Sequence, residues 1–215
     1  KPTALRRTYP KLSNQEGVLN LEWNKWSDKC TPEHDLIVPF TRMLAGPMDY
    51  HLGGFSALSE DSFEIRERAP FVMGTRCHHM AMYVIYENYM AMICDYPSAY
   101  KNQIGFDFIV NVPVTWDETK VINAKVGDYI SVARRNGENW YIGSMTDGSE
   151  RELEIPLNFI DEGDYQAVIY SDDKDADINP NNLKKVKHIV NSSDVIHVKM
   201  APGGGMVVKI SPIIK

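Results

Sequence analysis

The chain has 215 residues, 43% of them apolar and 24% charged, which is the composition of an ordinary folded protein with room for one large or two small domains. A net charge of −6 and the lack of a dense basic cluster argue against a nucleic-acid groove. No run of eighteen apolar residues occurs, so no membrane-spanning helix is expected. The start, Lys1-Pro2-Thr3-Ala4, has no initiator methionine or signal sequence and reads as cut by processing or fragmentation.

In chain order, Lys11–Val18 reads as a short strand ending at Glu16-Gly17. Thr31-Pro32-Glu33 is a helix start, with a capping hydroxyl, a proline in the first turn and then an acid. Leu36, Ile37, Phe40, Met43 and Leu44 continue at helical spacing, with Pro39 expected to kink the helix and Ala45-Gly46-Pro47 to stop it. Met48-Asp49-Tyr50 reads as a short strand, and Ser56–Arg68 as a long polar loop. Gly74–Cys94 is apolar nearly all round and predicts one long buried helix. Gly105–Val112 predicts a further short one.

The texture then changes to short alternating runs with turn residues between them, which argues antiparallel strands. Strands are expected near Thr119–Ala124, Tyr129–Arg135, Trp140–Thr146, Arg151–Pro156, Tyr165–Tyr170, Lys187–Asn191, Val195–Met200 and Met206–Ile210, with a hairpin turn at Asn136-Gly137. This is β-sandwich spacing. The basic run Lys184–His188 is expected to be a solvated strand face. The first part instead runs strand, loop, helix, strand, loop, helix, which fits the last units of a parallel barrel or a doubly wound sheet. The fold class is therefore α/β plus all-β, divided into 1–112 and 113–215.

Three candidate sites of other kinds fall away. Cys30, Cys77 and Cys94 have no Cys-x-x-Cys spacing, and adjacent His78 and His79 point to different helix faces, so a zinc site is not expected. The Asp172–Asp177 run lacks the sixth-position glycine of a calcium loop and has Lys184 where a bidentate glutamate belongs. Gly203-Gly204-Gly205 precedes a strand, so it is a turn and not a phosphate cradle.

The chemistry concentrates at Glu16 and Glu22, six residues apart. Trp23 follows Glu22, and Trp26 is one helical turn on. A carboxylate desolvated by aromatic rings holds its proton to higher pH, and indole faces suit the apolar C–H faces of sugar rings. The pair is therefore a candidate acid/base site for polysaccharide chemistry; the alternative is two solvated glutamates at an element boundary.

A series of stretches resembles glycoside hydrolase family 97, bacterial α-glucosidases and α-galactosidases. They are Leu5–Pro10, Glu16–Val18, Glu22–Trp26, Pro32–His34, Pro39–Tyr50, Gly74–Arg76, Met92–Asp95, Trp116–Lys120, Gly127–Tyr129, Trp140–Gly143 and Ala201–Gly205. Each is weak alone; together, in order along the chain, they are specific. The resemblance implies that 1–112 is the C-terminal part of a (β/α)₈ TIM barrel and that 113–215 is an antiparallel β-sandwich domain associated with oligomer contacts, so a homo-oligomer is expected. An N-terminal β-sandwich and most of the barrel would precede Lys1. It further implies hydrolysis of terminal α-glycosidic bonds in an oligosaccharide substrate, with Ca2+ as cofactor. Glu22 would be the catalytic acid and a metal contact, and Glu16 a metal ligand. A cation near Glu22 would oppose the desolvation.

The family's inverting base and retaining nucleophile both map upstream of Lys1. Lys1-Pro2 and the Gly53-Gly54-Phe55 loop lean toward the retaining, galactosidase-like branch. Asn14-Gln15, His51-Leu52 and Ala4 depart from the family pattern at the pocket rim, which leaves the sugar open between galactoside and glucoside. Asp49 and Tyr50 are candidate substrate contacts or packing residues. A non-catalytic sugar-binding or oligomerisation module and an inactive relative are the other readings. Family members are mostly periplasmic or exported from polysaccharide-degrading bacteria, so that is the expected location.

Overall fold

The computed structural model describes residues 5–213; the readings made on Lys1-Pro2 and Ala4 lie outside them. The first part of the chain contains α1 (Leu5–Thr8), a 3-10 helix (Leu21–Lys25), α2 (Pro32–Ile37) and 3-10 turns at Val38–Phe40 and Arg42–Ala45. It continues with β1 (His51–Leu52), β2 (Ala57–Leu58), β3 (Val72–Met73), α3 (Arg76–Ile85), β4 (Met92–Ile93), α4 (Pro97–Tyr100) and α5 (Phe106–Asn111). The second part contains β5 (Glu118–Lys125), β6 (Tyr129–Asn136), β7 (Asn139–Thr146), β8 (Arg151–Pro156), β9 (Tyr165–Asp172), β10 (Leu183–Val190), β11 (Val195–Met200) and β12 (Gly205–Pro212).

All eight expected strands of the second part are present. Six of them form one antiparallel sheet in the order β10-β9-β12-β7-β6-β5. Asn136 pairs with Asn139 across the β6–β7 hairpin, leaving Gly137 (φ 58°) and Glu138 as the two-residue loop. A two-residue hairpin loop needs left-handed backbone there, which glycine supplies at no steric cost.

The second layer is smaller than a full sandwich sheet. It is the antiparallel ribbon β11–β8, and it covers one face of the large sheet. Trp140, Ile142, Ala167, Ile169, Met206, Val208 and Ile210 point to that side and pack with Ile155, Ile196, Val198 and Met200 of the ribbon. Helix α3 covers the opposite face, where Val132, Tyr141, Tyr170 and Val207 join Met80, Ala81, Val84 and Ile85 in a second core. A sheet buried on both faces carries apolar side chains at successive positions, and β7 and β12 read that way. Gly143 and Gly205 let the helix lie on the strands. A Cβ at Gly143 would stand 2.8 Å from the Ala81 carbonyl oxygen, and one at Gly205 2.5 Å from the His78 nitrogen.

The first part departs more from expectation. The strand expected at Lys11–Val18 reduces to a single parallel bridge, Gln15 to Met48. The strand expected at Met48–Tyr50 begins at His51 instead, where β1 pairs in parallel with β4; β2 pairs in parallel with β3. The loop expected at Ser56–Arg68 contains β2 and a 3-10 turn at Glu60–Ser62. Helix α2 begins as read, with the Thr31 hydroxyl accepting from the His34 amide (3.1 Å), and gives way to 3-10 turns at Val38, next to Pro39.

The long helix expected over Gly74–Cys94 is only ten residues long. Tyr86 turns extended (φ −81°, ψ 146°). The backbone beyond it is held by other segments: the Met48 amide donates to the Glu87 carbonyl (2.8 Å), and the Asn88 side chain donates to the Tyr50 carbonyl (2.6 Å). These tertiary bonds outweigh the helical propensity of an apolar run. Among the described residues, no helix is long and apolar enough to cross a membrane.

Candidate active site

Glu16 follows directly on the Gln15–Met48 bridge and is exposed. Its backbone is fixed by Arg42, whose guanidinium donates to the carbonyls of Gln15 (2.6 Å), Glu16 (3.0 Å) and Gly46 (3.0 Å). One planar fork thus gathers carbonyls from two segments, a task a lysine cannot reproduce. Gly46, whose carbonyl it holds, sits at φ +110°, and a Cβ there would stand 2.6 Å from the Arg6 side chain.

Glu22 lies in the first turn of the 3-10 helix Leu21–Lys25. Asn20 caps that turn: its side-chain oxygen accepts from the Glu22 amide (2.9 Å), and its side-chain nitrogen donates to the Asp49 carbonyl (3.4 Å). The cap therefore ties the glutamate to the segment that carries Asp49. From inside, His34 Nε2 meets the Leu19 carbonyl oxygen at 2.7 Å, and buried Asn24 donates to the Phe71 carbonyl (2.9 Å).

The desolvation expected around Glu22 is absent. Its side chain is 43% exposed and has Lys25 Nζ 3.4 Å from Oε1. Trp23 and Trp26 are themselves exposed and pack edge-to-face on each other, with ring centroids 5.9 Å apart. The site is a half-open carboxylate beside two exposed indoles, set on a capped turn. Exposed indoles of this kind offer flat apolar surface to a ligand.

Asp49 stands partly exposed at the same end. Tyr50 does not: it is fully buried, and its hydroxyl donates to Asp35 Oδ1 (2.6 Å). Burial, with Asp35 and Tyr86 beside it, pushes the Tyr50 phenol well up, so it remains a protonated donor. Tyr50 is thus a packing residue, and a substrate hydroxyl reaches it only by dismantling the core. Asp35, also fully buried, faces His78 Nε2 at 3.4 Å through Oδ2, and neither of these two facing atoms has a hydrogen-bond partner.

Glu16 and Glu22 share no hydrogen-bond partner among the described residues: Arg42 meets the first, Asn20 and Lys25 the second. Among those residues, no three His, Cys, Asp or Glu side chains converge as metal ligands. Calcium takes six to eight oxygens. Glu16 and Glu22 are donors of the right chemistry, but two carboxylates, one with a lysine beside it, do not by themselves make the site. The sequence reading missed Arg42 and Asn20. Asn20 had a local signal, an Asx residue two positions before an acid at a helix start; Arg42 had none.

Residues 115–211 match the family model described as "Glycosyl-hydrolase 97 C-terminal, oligomerisation". Over 213 residues, 98% of its length, the chain is 37% identical to a protein named retaining alpha-galactosidase from Bacteroides thetaiotaomicron. It is 25% identical over 205 residues to a probable retaining alpha-galactosidase from Streptomyces bingchenggensis. A glycoside hydrolase family 97 enzyme from a Pseudoalteromonas strain, solved in complex with acarbose, superposes with a TM-score of 0.87 at 35% identity over 98% of this chain. The chain belongs to glycoside hydrolase family 97. It spans about a third of these proteins: 32% and 29% of the two curated relatives and 33% of the solved chain. A β-arabinopyranosidase matches with a TM-score of 0.69 at 20% identity, a likeness of fold alone.

Proposed function

We propose that this chain works within a longer glycoside hydrolase that cleaves terminal α-glycosidic bonds with retention, as an α-galactosidase, and that Glu22 is its general acid/base. In that protein residues 1–112 would close a (β/α)₈ barrel, with the parallel pairs β1–β4 and β2–β3 as its last strands, and 113–215 would be the β-sheet domain that makes homo-oligomer contacts. The observation that carries the proposal is the placement of Glu22. It is half-exposed on a turn beside two exposed indoles, capped by Asn20, and follows the Gln15–Met48 parallel bridge, where such barrels place catalytic groups. The 37% identity to a protein named retaining alpha-galactosidase favours the galactoside. The runner-up is an α-glucosidase, favoured by the family 97 enzyme solved with acarbose and with panose at 35% identity.

In the retaining mechanism Glu22 protonates the glycosidic oxygen as the C–O bond to the leaving group breaks. As carboxylate it then takes a proton from the water that releases the sugar. The carboxylate that attacks the anomeric carbon comes from outside this chain. Glu16 and Glu22 would contribute carboxylate oxygens to a calcium ion whose remaining ligands lie elsewhere in the longer protein; such an ion supplies positive charge near the reacting oxygens. Arg42 and Asn20 hold the backbone from which the two glutamates project.

The test is Glu22→Gln in the full-length protein. Loss of general acid catalysis is expected to cut kcat/KM by about 10²–10⁴ on an alkyl α-galactoside. It should cost far less on a dinitrophenyl α-galactoside, whose leaving group departs without a proton. Equal loss on both substrates would make Glu22 a metal-holding residue only. Faster hydrolysis of the matching α-glucoside would favour the second reading.

A further inference from the structure

From Met48 to Leu52 the chain runs out of the Gln15–Met48 bridge into β1, and its burial alternates. Met48, Tyr50 and Leu52 are buried and pack with Met80, Val84 and Tyr86 on the helix side. Asp49 and His51 are only partly buried and stand on the opposite face. Strand register carries that face to the neighbours. Gln15 pairs with Met48, so Glu16, one residue on, falls on the side of Asp49 and His51. On the other flank His51 pairs with Met92, which is 49% exposed. The turn of Glu22 belongs to the same corner, because Asn20 donates to the Asp49 carbonyl (3.4 Å). In an α/β barrel the strand face turned away from the helices lines the interior, and ligands bind at the carboxyl ends of the strands. His51 lies nearer that end than Asp49.

The His51 ring also differs from the other histidines. His34, His78 and His79 meet the carbonyl oxygens of Leu19 (2.7 Å), Gly204 (3.3 Å) and Met73 (2.9 Å), and His197 faces Glu154 at 3.6 Å. His188 is exposed on β10. His51 is partly buried, yet among the described residues neither of its ring nitrogens has a protein partner, whereas partly buried His34 has one. A neutral imidazole offers one donor and one acceptor, which a sugar hydroxyl matches with its own acceptor and donor. It suits calcium poorly, since that cation takes oxygen ligands.

We propose that His51 is a specificity-determining residue, its imidazole hydrogen-bonding one hydroxyl of the terminal sugar on the face that carries Glu16 and Asp49. The inference rests on the glycosidase reading of this site, but not on Glu22 being the acid.

The test crosses two variants of the full-length protein, His51→Ala and the milder His51→Gln, with a dinitrophenyl α-galactoside and its monodeoxy analogues. That leaving group departs without a proton, so the readout is insensitive to the acid role of Glu22. His51→Ala should lower kcat/KM on the parent sugar about tenfold at an unchanged melting temperature. The loss should vanish on the one deoxy analogue that lacks the bound hydroxyl, and that analogue identifies it. His51→Gln, which keeps a donor, should recover part of the activity, and it carries the test if His51→Ala folds poorly. A protein that prefers the α-glucoside is tested with the deoxyglucose series. Undiminished kcat/KM in both variants, or the same loss on every deoxy analogue as a purely structural role requires, would overturn the proposal. Failure of Glu22 as the acid shows elsewhere, as equal loss in Glu22→Gln on alkyl and dinitrophenyl substrates, and leaves this comparison intact. Absence of turnover of either sugar by the wild type would overturn the glycosidase reading and this assignment with it.

Discussion

The two regions of this molecule bury their side chains differently. From Glu118 on, a six-stranded sheet is covered on both faces, and its central strands are almost wholly inaccessible. Before it, parallel pairing comes in two-residue pieces; large apolar side chains stand in the open in both regions, Leu44 at 80% here and Ile178 at 83% there, but here they include the aromatic pair Trp23 and Trp26 beside Glu22. Parallel strands are ordinarily buried on both faces, so pairs this short with apolar neighbours this exposed are what an edge looks like. The contrast separates scaffold from site. The sheet region is covered on both faces, one of them by α3, whereas the region with Glu16 and Glu22 presents two accessible acids, Glu22 on a capped turn and Glu16 after a bridge, suited to meeting another surface.

The regions are nonetheless tied together, and the tie is the best place to break the comparison. Asp172, at the end of β9, accepts from the Thr75 hydroxyl (2.7 Å) and from the amides of Ala201 (3.1 Å) and Gly205 (3.0 Å). Thr75 in turn caps α3, accepting from the His78 amide. Asp172→Ala leaves three donors, two of them buried, without an acceptor and is expected to cost about 3 kcal/mol, read by urea unfolding. If the two regions unfold as one, the transition stays single and moves to lower urea; if Asp172 is the main tie, it splits.

A pH titration sharpens the same interface. Burial, with His78 adjacent, lowers the His79 imidazole from 6.5 to about 4; its Nε2 sits 2.9 Å from the Met73 carbonyl oxygen. The unfolded chain takes up a proton that the folded one refuses. Stability is therefore complete above pH 6.5 and is lost as pH falls toward 4, by up to about 3 kcal/mol. Chemical denaturation at intervals between pH 7 and 4 should show this slope, and His79→Gln, which keeps a donor for Met73, should flatten it.

The smallest effect belongs to the site. Asn20→Ala removes one cap and one link to the Asp49 segment and is expected to cost about 1 kcal/mol. In the full-length protein it should lower kcat on alkyl α-galactosides with little change in melting temperature. A fall in melting temperature as large as that of Asp172→Ala would mean that the turn belongs to the scaffold.

The legibility of the sequence follows the same division. The eight strands could be read because alternation and turn residues are local signals, and burial on both faces only lengthened the apolar runs. The sandwich reading failed in one respect: half of the sheet's cover is α3, which sequence places in the other region. The long helix failed because its end is set from outside, by Met48 on Glu87 and by Asn88 on Tyr50. Glu16 and Glu22 stood out as residues, but their surroundings did not. Trp23 and Trp26 turn to each other and to solvent, Arg42 holds Glu16 across 26 residues, and Asn20, besides its local cap on Glu22, reaches the Asp49 carbonyl across 29.

The role of Glu22 is tested most directly by azide rescue. In the full-length protein carrying Glu22→Ala, hydrolysis of a dinitrophenyl α-galactoside should stall at the sugar–enzyme intermediate, because no base activates water. Added azide needs no base, so it should restore turnover and release α-galactosyl azide, the retained anomer. Failure of azide to accelerate the variant would contradict Glu22 as acid/base, and a β-azide would contradict retention.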